Sequence, residues 1–236
     1  VGGRSQLTLL GVAGTDHIVF KRDEESISED IDSRDRQATV GVNWRVLWNP
    51  KAVSHFTLSQ TYNRYSADVE DDEGLLFRNR STERWLTWTG DLLRKVGGGE
   101  VSVGVEARHP DARHEVFQRS EVGPWGYRDS LSLDERVRSF KVGAFLEYRS
   151  PSLHGLTVNP GVRVDHFALT GNRTVSPRLT LRYQTTPSTA LKAAGGLYHQ
   201  SIPLIGLSVS RDNRTLPDVE AVHAIEQMGR GVSRLE

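Results

Sequence analysis

The stretch Gln37-Ala38-Thr39-Val40-Gly41-Val42-Asn43-Trp44-Arg45-Val46-Leu47-Trp48 sorts its side chains by parity. In an extended chain successive side chains point to opposite faces. Ala38, Val40, Val42, Trp44, Val46 and Trp48 therefore share one face, while Gln37, Thr39, Asn43 and Arg45 share the other. A strand built this way separates two different solvents. The same parity recurs in Val101, Val103, Val105 and Ala107 against Ser102, Glu106 and Arg108. It recurs again in Phe140, Val142, Ala144, Leu146 and Tyr148 against Ser139, Lys141 and Glu147, and in Leu179, Leu181 and Tyr183 against Arg178, Thr180 and Arg182.

Worked outward from these segments, the chain reads as about ten strands, at 5–20, 36–49, 54–67, 83–94, 100–109, 136–149, 156–169, 174–185, 190–200 and 219–230. Helical periodicity is weak, with only Val219 to Met228 open to a helical alternative. Ordinary strands average ~5 to 6 residues, whereas a tilted strand crossing a bilayer needs ~9 to 11. Most of these are long enough to cross. The connections alternate too. Asn49-Pro50-Lys51, Val96-Gly97-Gly98-Gly99, Ser150-Pro151-Ser152 and Thr186-Pro187-Ser188 are short turns. Segments 21–35, 68–82, 110–135 and 200–218 read as long polar loops, with a short link at Thr170-Gly171-Asn172-Arg173. Short turns on one rim and long loops on the other are the asymmetry of an outer-membrane barrel. Aromatic residues flank both sets of connections: Trp48, Phe56, Tyr148 and Tyr183 by the short turns, and Phe20, Tyr65, Trp85, Phe167 and Tyr198 by the long loops.

Composition narrows the alternatives. No apolar run approaches the ~18 to 20 residues of a spanning helix. The negative mean hydropathy does not argue against strands that alternate lipid-facing and lumen-facing residues. Lys plus Arg and Asp plus Glu are both 30, which leaves no net field to draw nucleic acid. The absence of cysteine excludes disulfides and thiol chemistry. The expected fold class is all-β, an antiparallel up-and-down transmembrane barrel seen in part. The chain starts at Val1 and ends in Arg234-Leu235-Glu236, so residues 1–236 are expected to be one piece of a single barrel domain, without plug domain or C-terminal strands.

From Val158 to Leu216 three pieces carry a further signal: Gly161-Val162-Arg163-Val164-Asp165, Ser176-Pro177-Arg178-Leu179-Thr180-Leu181-Arg182-Tyr183, and Thr189-Ala190-Leu191-Lys192-Ala193-Ala194-Gly195-Gly196-Leu197-Tyr198-His199-Gln200. Their order and spacing resemble late-barrel strands of TonB-dependent receptors. The resemblance implies a barrel of about 22 strands closed around a plug. It also implies a Gram-negative-type outer membrane, and import of a siderophore, cobalamin or glycan driven by a TonB-type complex acting on the plug. Its partners would be outer-membrane lipid, its own plug, that complex and the small-molecule ligand, with no nucleic acid. Alternatives from other classes are a passive or structural barrel and a soluble all-β binding module.

Charges borne on strands belong in the lumen, because on the lipid face each would cost ~2 to 4 kcal/mol near the midplane. Arg163, Asp165, Arg182, Lys192 and Tyr198 are the expected lumen-facing ligand contacts, with Arg45 and Glu106 on the same kind of face. The acidic groups Asp23-Glu24-Glu25 with Glu29, Asp30 and Asp32, and Asp68 with Glu70 to Glu73, have the oxygen donors of a Ca²⁺ site but not the EF-hand order. They read as hydrated loops. His109 and His114 have no metal-ligand spacing, Gly97-Gly98-Gly99 lacks the Lys of a phosphate loop, and there is no nucleophile elbow. No catalytic residue, metal ligand or cofactor is expected, and the chain does not read as an enzyme.

Overall fold

The computed structural model describes residues 4–22, 29–119, 130–209, 215 and 219–230. They form one antiparallel sheet: β1 (Ser5–Phe20), β2 (Asp30–Asn49), β3 (Ala52–Asp71), β4 (Gly74–Val96), β5 (Gly99–Arg119), β6 (Ser130–Arg138), β7 (Lys141–Arg149), β8 (Leu156–Phe167), β9 (Arg173–Thr186), β10 (Thr189–Gln200) and β11 (Val219–Arg230), with a short helix α1 (Leu204–Val209) before the last strand. Strands pair with their sequence neighbours throughout, in the order β1-β2-β3-β4-β5-β7-β8-β9-β10-β11, with β6 also on β5. Among the described residues the sheet is open, ending on β1 and β11. The segment open to a helical reading is β11, a strand.

β6 and β7 are two halves of the single strand expected at 136–149. Asp111 faces Arg138 and Arg108 faces Lys141, so both halves keep one register on β5. The break falls opposite Pro110. Ser139 N–H donates to Pro110 O at 3.2 Å, but proline has no N–H to return the bond. His109 supplies it instead, its Nδ1 lying 2.7 Å from Ser139 O.

Register fixes the faces. Leu7, Trp44, Phe56, Gly90, Val105, Ala144, Val164 and Val175 are successive cross-strand partners on one face. Trp44, Val105, Val164 and Val175 there are all exposed, as a lipid-facing band must be. Trp44 and Phe56 lie ring to ring, centroids 5.7 Å apart. The other face carries Thr39 bonded to Thr61 at 3.1 Å and Asn43 bonded to Thr57 at 2.8 Å, with apolar side chains such as Leu10 and Phe145 among the polar ones. Of the aromatics expected beside the short turns, Phe56 instead occupies the middle of the band. Of those expected at the outer belt, Phe20, Tyr65, Trp85 and Phe167 have the parity of the polar face. Tyr62 and Phe140 hold that rim position on the apolar face.

The short turns sit where expected. Gly97 and Gly98 have φ of +57° and +81°, the left-handed pair that a two-residue hairpin turn requires. The turn at Ser150 runs longer than expected, to His154 and Gly155, both at positive φ. The long loops are shorter than expected. Segment 68–82 is a hairpin with its turn between Asp71 and Gly74, and 21–35 and 110–135 are largely strand where described. The acidic run at Asp23 and residues 120–129 lie outside the described residues. Beyond the apolar band neither face need be apolar, so the alternation fades while pairing continues.

Ion pairs hold this extension beyond the band. Asp68 meets Arg80 and, at 3.0 Å, Arg78. Asp71 meets Arg119, and Arg113 grips Asp134 at 3.0 and 2.9 Å. Arg136 binds Asp111 through two bonds of 2.9 and 2.8 Å. Hydrogen bonds from Arg136, and then from Arg138, hold the Asp111 carboxyl down at about 2 against partial desolvation. Because this folded-state value lies below the ordinary ~3.9, the pair stabilises the β5–β6 hairpin fully above about pH 4, and the contribution is lost as pH falls through about 2. A carboxyl ¹³C titration of Asp111 should show a midpoint near 2, moving up in Arg136→Gln. A midpoint near 4 in the unaltered protein would contradict the pairing.

Candidate functional site: the polar wall and its rim recess

The polar face is organised by glycines that let side chains reach across a whole strand. Glu106 on β5 and Asp165 on β8 both face Gly143 on β7. Arg163 chelates Asp165 through Nε and Nη2 at 2.8 and 2.7 Å and extends to Glu106 Oε1 at 3.4 Å. Glu106 in turn accepts from Arg108 Nη2 at 3.1 Å. A Cβ on Gly143 would sit 2.4 Å from Asp165 Oδ1 and 2.6 Å from Arg163 Nη2, so the network exists because residue 143 has no side chain. The same device recurs where Arg178 reaches Glu147 at 3.4 Å over Gly161. Phe145 lies over Gly104 likewise.

Of the expected site residues, Arg163 and Asp165 are brought together, but as partners of each other and of Glu106 and Arg108. Two cations and two anions leave that cluster neutral. Arg182 and Lys192 face one another directly across β9 and β10. Arg182 donates to Gln184, and the two like charges form a positive spot on the wall. Tyr198 stands six residues beyond Lys192, about 20 Å along the strand, and is 41% exposed. The β9–β10 ladder ends at Gly196 facing Arg178. Past it His199, not Tyr198, meets Ser176, at 3.0 Å.

The sequence reading missed a recess of about 380 Å³ at the outer end of this wall, lined by Glu83, Trp85, Arg108, Lys141, Phe167 and His199 and closed by residues 200–204. Its lid is built by α1. Leu204 and Leu207 pack on Ala112, Val137 and Phe167, flanked by Trp85, Leu169 and Ile202. These wall residues have polar-face parity, so α1 folds over the inside of the sheet. Lys141 Nζ sits 5.8 Å above the Phe167 ring and donates to Ser201. Trp85 Nε1–H donates to Glu83 at 3.3 Å. A recess floored by two aromatic rings, with the Lys141 ammonium on its wall, can hold a bulky aromatic or anionic solute. The legible signal was the run Ile202, Leu204, Ile205 and Leu207 inside an otherwise polar loop.

His114 is buried beside this recess, 3.3 Å from Ser81 Oγ and 3.6 Å from Glu83 Oε1. Burial lowers its pKa, and the nearby Glu83 carboxylate opposes that. His109, five residues away, has the opposite parity, so one ion could not join the pair. Among the described residues no group of three or more His, Cys, Asp or Glu could hold a metal. Asp68 and Asp71 to Asp72 are engaged by arginines instead.

The β-barrel model of the TonB dependent receptor-like family matches residues 6–196. No curated protein matches the sequence significantly. Among solved structures, FpvA of Pseudomonas aeruginosa, bound to a heterologous pyoverdine and iron, superposes with a TM-score of 0.64 at 12% identity, over 95% of this chain and 39% of that one. The outer membrane transporter YddB from Escherichia coli gives 0.61 at 11%, over 84% and 30%. The ferric enterobactin receptor PfeA from Pseudomonas aeruginosa gives 0.57 at 17%, over 87% and 35%. The chain thus spans 30 to 39% of the length of these three solved chains.

Proposed function

Because the chain belongs to the TonB-dependent receptor-like β-barrel family, we propose that it forms part of the barrel wall of an outer-membrane receptor for energy-coupled uptake of a scarce small molecule in a Gram-negative-type bacterium. One observation carries this reading: the sheet has a lipid-facing band on one side and, on the other, a charged wall ending in the recess of Trp85, Lys141 and Phe167. Neither feature assembles a nucleophile or a general base, and the reading is of a transporter, not an enzyme. Two of the solved neighbours are a receptor bound to a ferric pyoverdine and a ferric enterobactin receptor. A metal-loaded siderophore is the ligand class the recess suits best, since the Lys141 ammonium favours anions and the rings favour planar groups. Cobalamin and glycans are the other members of the class considered.

In the whole protein the partners of this segment are the remaining strands, a plug domain, surrounding lipid and a TonB-type complex. Arg182 and Lys192 would lie along the route from recess to plug, and Arg163 with Asp165 would brace the wall between them. The test is uptake by cells carrying the full-length protein, using labelled ferric siderophores, cobalamin and oligosaccharides, before and after a protonophore. Accumulation of one of these should stop when the proton gradient collapses. Accumulation that continues unchanged would identify a passive channel and overturn the proposal.

A further inference from the structure

On the apolar face the band ends abruptly, and what replaces it is arginine. Arg36, Arg64, Thr82, Arg113 and Arg136 are consecutive cross-strand partners on β2 to β6. This puts four guanidinium groups in one row about 19 Å wide, at a strand spacing of ~4.8 Å. The row one step nearer the band is Ala38, Tyr62, Arg84, Asp111 and Arg138, and the row one step further out is Arg34, Ser66, Arg80, Glu115 and Asp134. With the next row out, Asp32, Asp68, Arg78, Phe117 and Ser132, where Asp32 and Asp68 hold Arg34 and Arg80, nine arginines stand against five carboxylates, a net of four positive charges in a chain whose total is zero. The next step inward is Val40, Gln60, Leu86, His109 and Phe140, where the band begins.

Arginines held by carboxylates keep free faces. Arg113 and Arg136 each use one edge on Asp134 and Asp111, and Arg84 lies 5.7 Å above the Tyr62 ring. Arg36 and Arg64 face each other with no ion-pair or side-chain hydrogen-bond partner among the described residues, and both are exposed. Like charges placed directly opposite are destabilising, so this pair calls for an anion. Between them and β6 lies a shallow recess of about 230 Å³ lined by Arg80, Thr82, Arg84, Asp111, Arg113 and Arg136. Guanidinium forks with a neighbouring hydroxyl match phosphate oxygens.

We propose that this arginine terrace binds the phosphate groups of a phosphorylated glycolipid in the outer leaflet, whose acyl chains lie along the apolar band below. The inference rests on reading that band as lipid-facing. Continuity with it is what selects a lipid over a free anion: a ligand whose phosphates sit at Arg36, Arg64 and Arg113 has its apolar part against Leu58, Leu86 and Val40 without leaving the barrel surface. The lumen-side ligand of the receptor does not meet this face.

The test uses the full-length protein in detergent micelles, titrated with a bis-phosphorylated lipid A-type glycolipid, its dephosphorylated form and inorganic phosphate. The double variant Arg36→Gln/Arg64→Gln, which breaks no ion pair, should weaken binding of the phosphorylated glycolipid about 25-fold, from ~1 kcal/mol for each arginine at an anionic surface. Arg94→Gln, on the same face at the opposite rim, should leave it unchanged. Equal affinity of the double variant, equal affinity for the dephosphorylated lipid, or displacement by inorganic phosphate at comparable concentration would each overturn the proposal. Quenching of Trp44, Trp48 and Trp88 by brominated acyl chains is read in the same samples. Its absence would show instead that the band is not lipid-facing.

Discussion

Val105→Arg should abolish assembly of the barrel in lipid, whereas Thr89→Arg, one strand away on the opposite face, should assemble with near-normal yield. Val105 lies at the centre of the outward run from Val101 to His109, between Gly90 and Ala144, and is 44% exposed because nothing of the protein covers it. A guanidinium there must enter hydrocarbon, at about 2 to 4 kcal/mol near the midplane. That is a large part of the 5 to 15 kcal/mol that typically holds a domain together. Its position midway between rims leaves little chance for the side chain to reach water. Thr89 lies on the polar face directly opposite Glu106, a carboxylate that Arg108 and Arg163 already share, so an arginine there stays among polar groups and need not enter hydrocarbon. Folded yield of each full-length variant in lipid vesicles, read as heat-modifiable mobility, makes the comparison. Equal yields would mean the two faces are assigned the wrong way round or see the same solvent.

Parity made the spanning strands legible, because the bilayer imposes two solvents on a period of two. It went silent wherever that constraint ended. β2, β3, β4 and β5 run on for many residues beyond the band, through segments with polar side chains on both faces that carry no alternation. Ion pairs such as Arg113 with Asp134 stabilise them at ~0.2 to 1 kcal/mol each. Those pairs need the register to be seen. The interruption at Ser139 was half-legible: Pro110 announces a missing donor, but not which carbonyl loses it or that His109 replaces it. The site divides similarly. Arg163 and Asp165 are two apart on one strand, so their shared face could be read directly. Their engagement with Glu106 depends on β5, β7 and β8 lining up at Gly143, which no single segment records. The recess stayed hidden because it joins Trp85, Phe167 and Leu207, drawn from three elements far apart in sequence.

Gly143→Val should cost stability in the unaltered protein and little or none in an Arg163→Met background. In the unaltered wall the new side chain meets Asp165 Oδ1 and Arg163 Nη2 at distances no real Cβ shows. Both atoms are at the ends of flexible side chains, so the network can yield, but only by swinging Arg163 away from Glu106. The overpacking and the loosened ion pairs together should cost about 1 to 3 kcal/mol. Valine's strand preference offsets up to ~1 kcal/mol of this. Arg163→Met removes the cation and leaves Asp165 and Glu106 facing each other across Gly143, with only Arg108 beside them. Breaking a fully buried network in this way costs ~3 to 5 kcal/mol. The value here should be lower, since Arg163 and its partners retain 16 to 26% of their exposure. With the guanidinium gone, however, the space over residue 143 opens, and valine there fills it instead of displacing a partner. The two effects should therefore fall short of additivity by 0.5 kcal/mol or more, the signature of residues that share one contact. Urea unfolding of the four full-length forms in vesicles measures the cycle. Strict additivity would show that the strand at Gly143 is not what lets Arg163 span from β8 to β5.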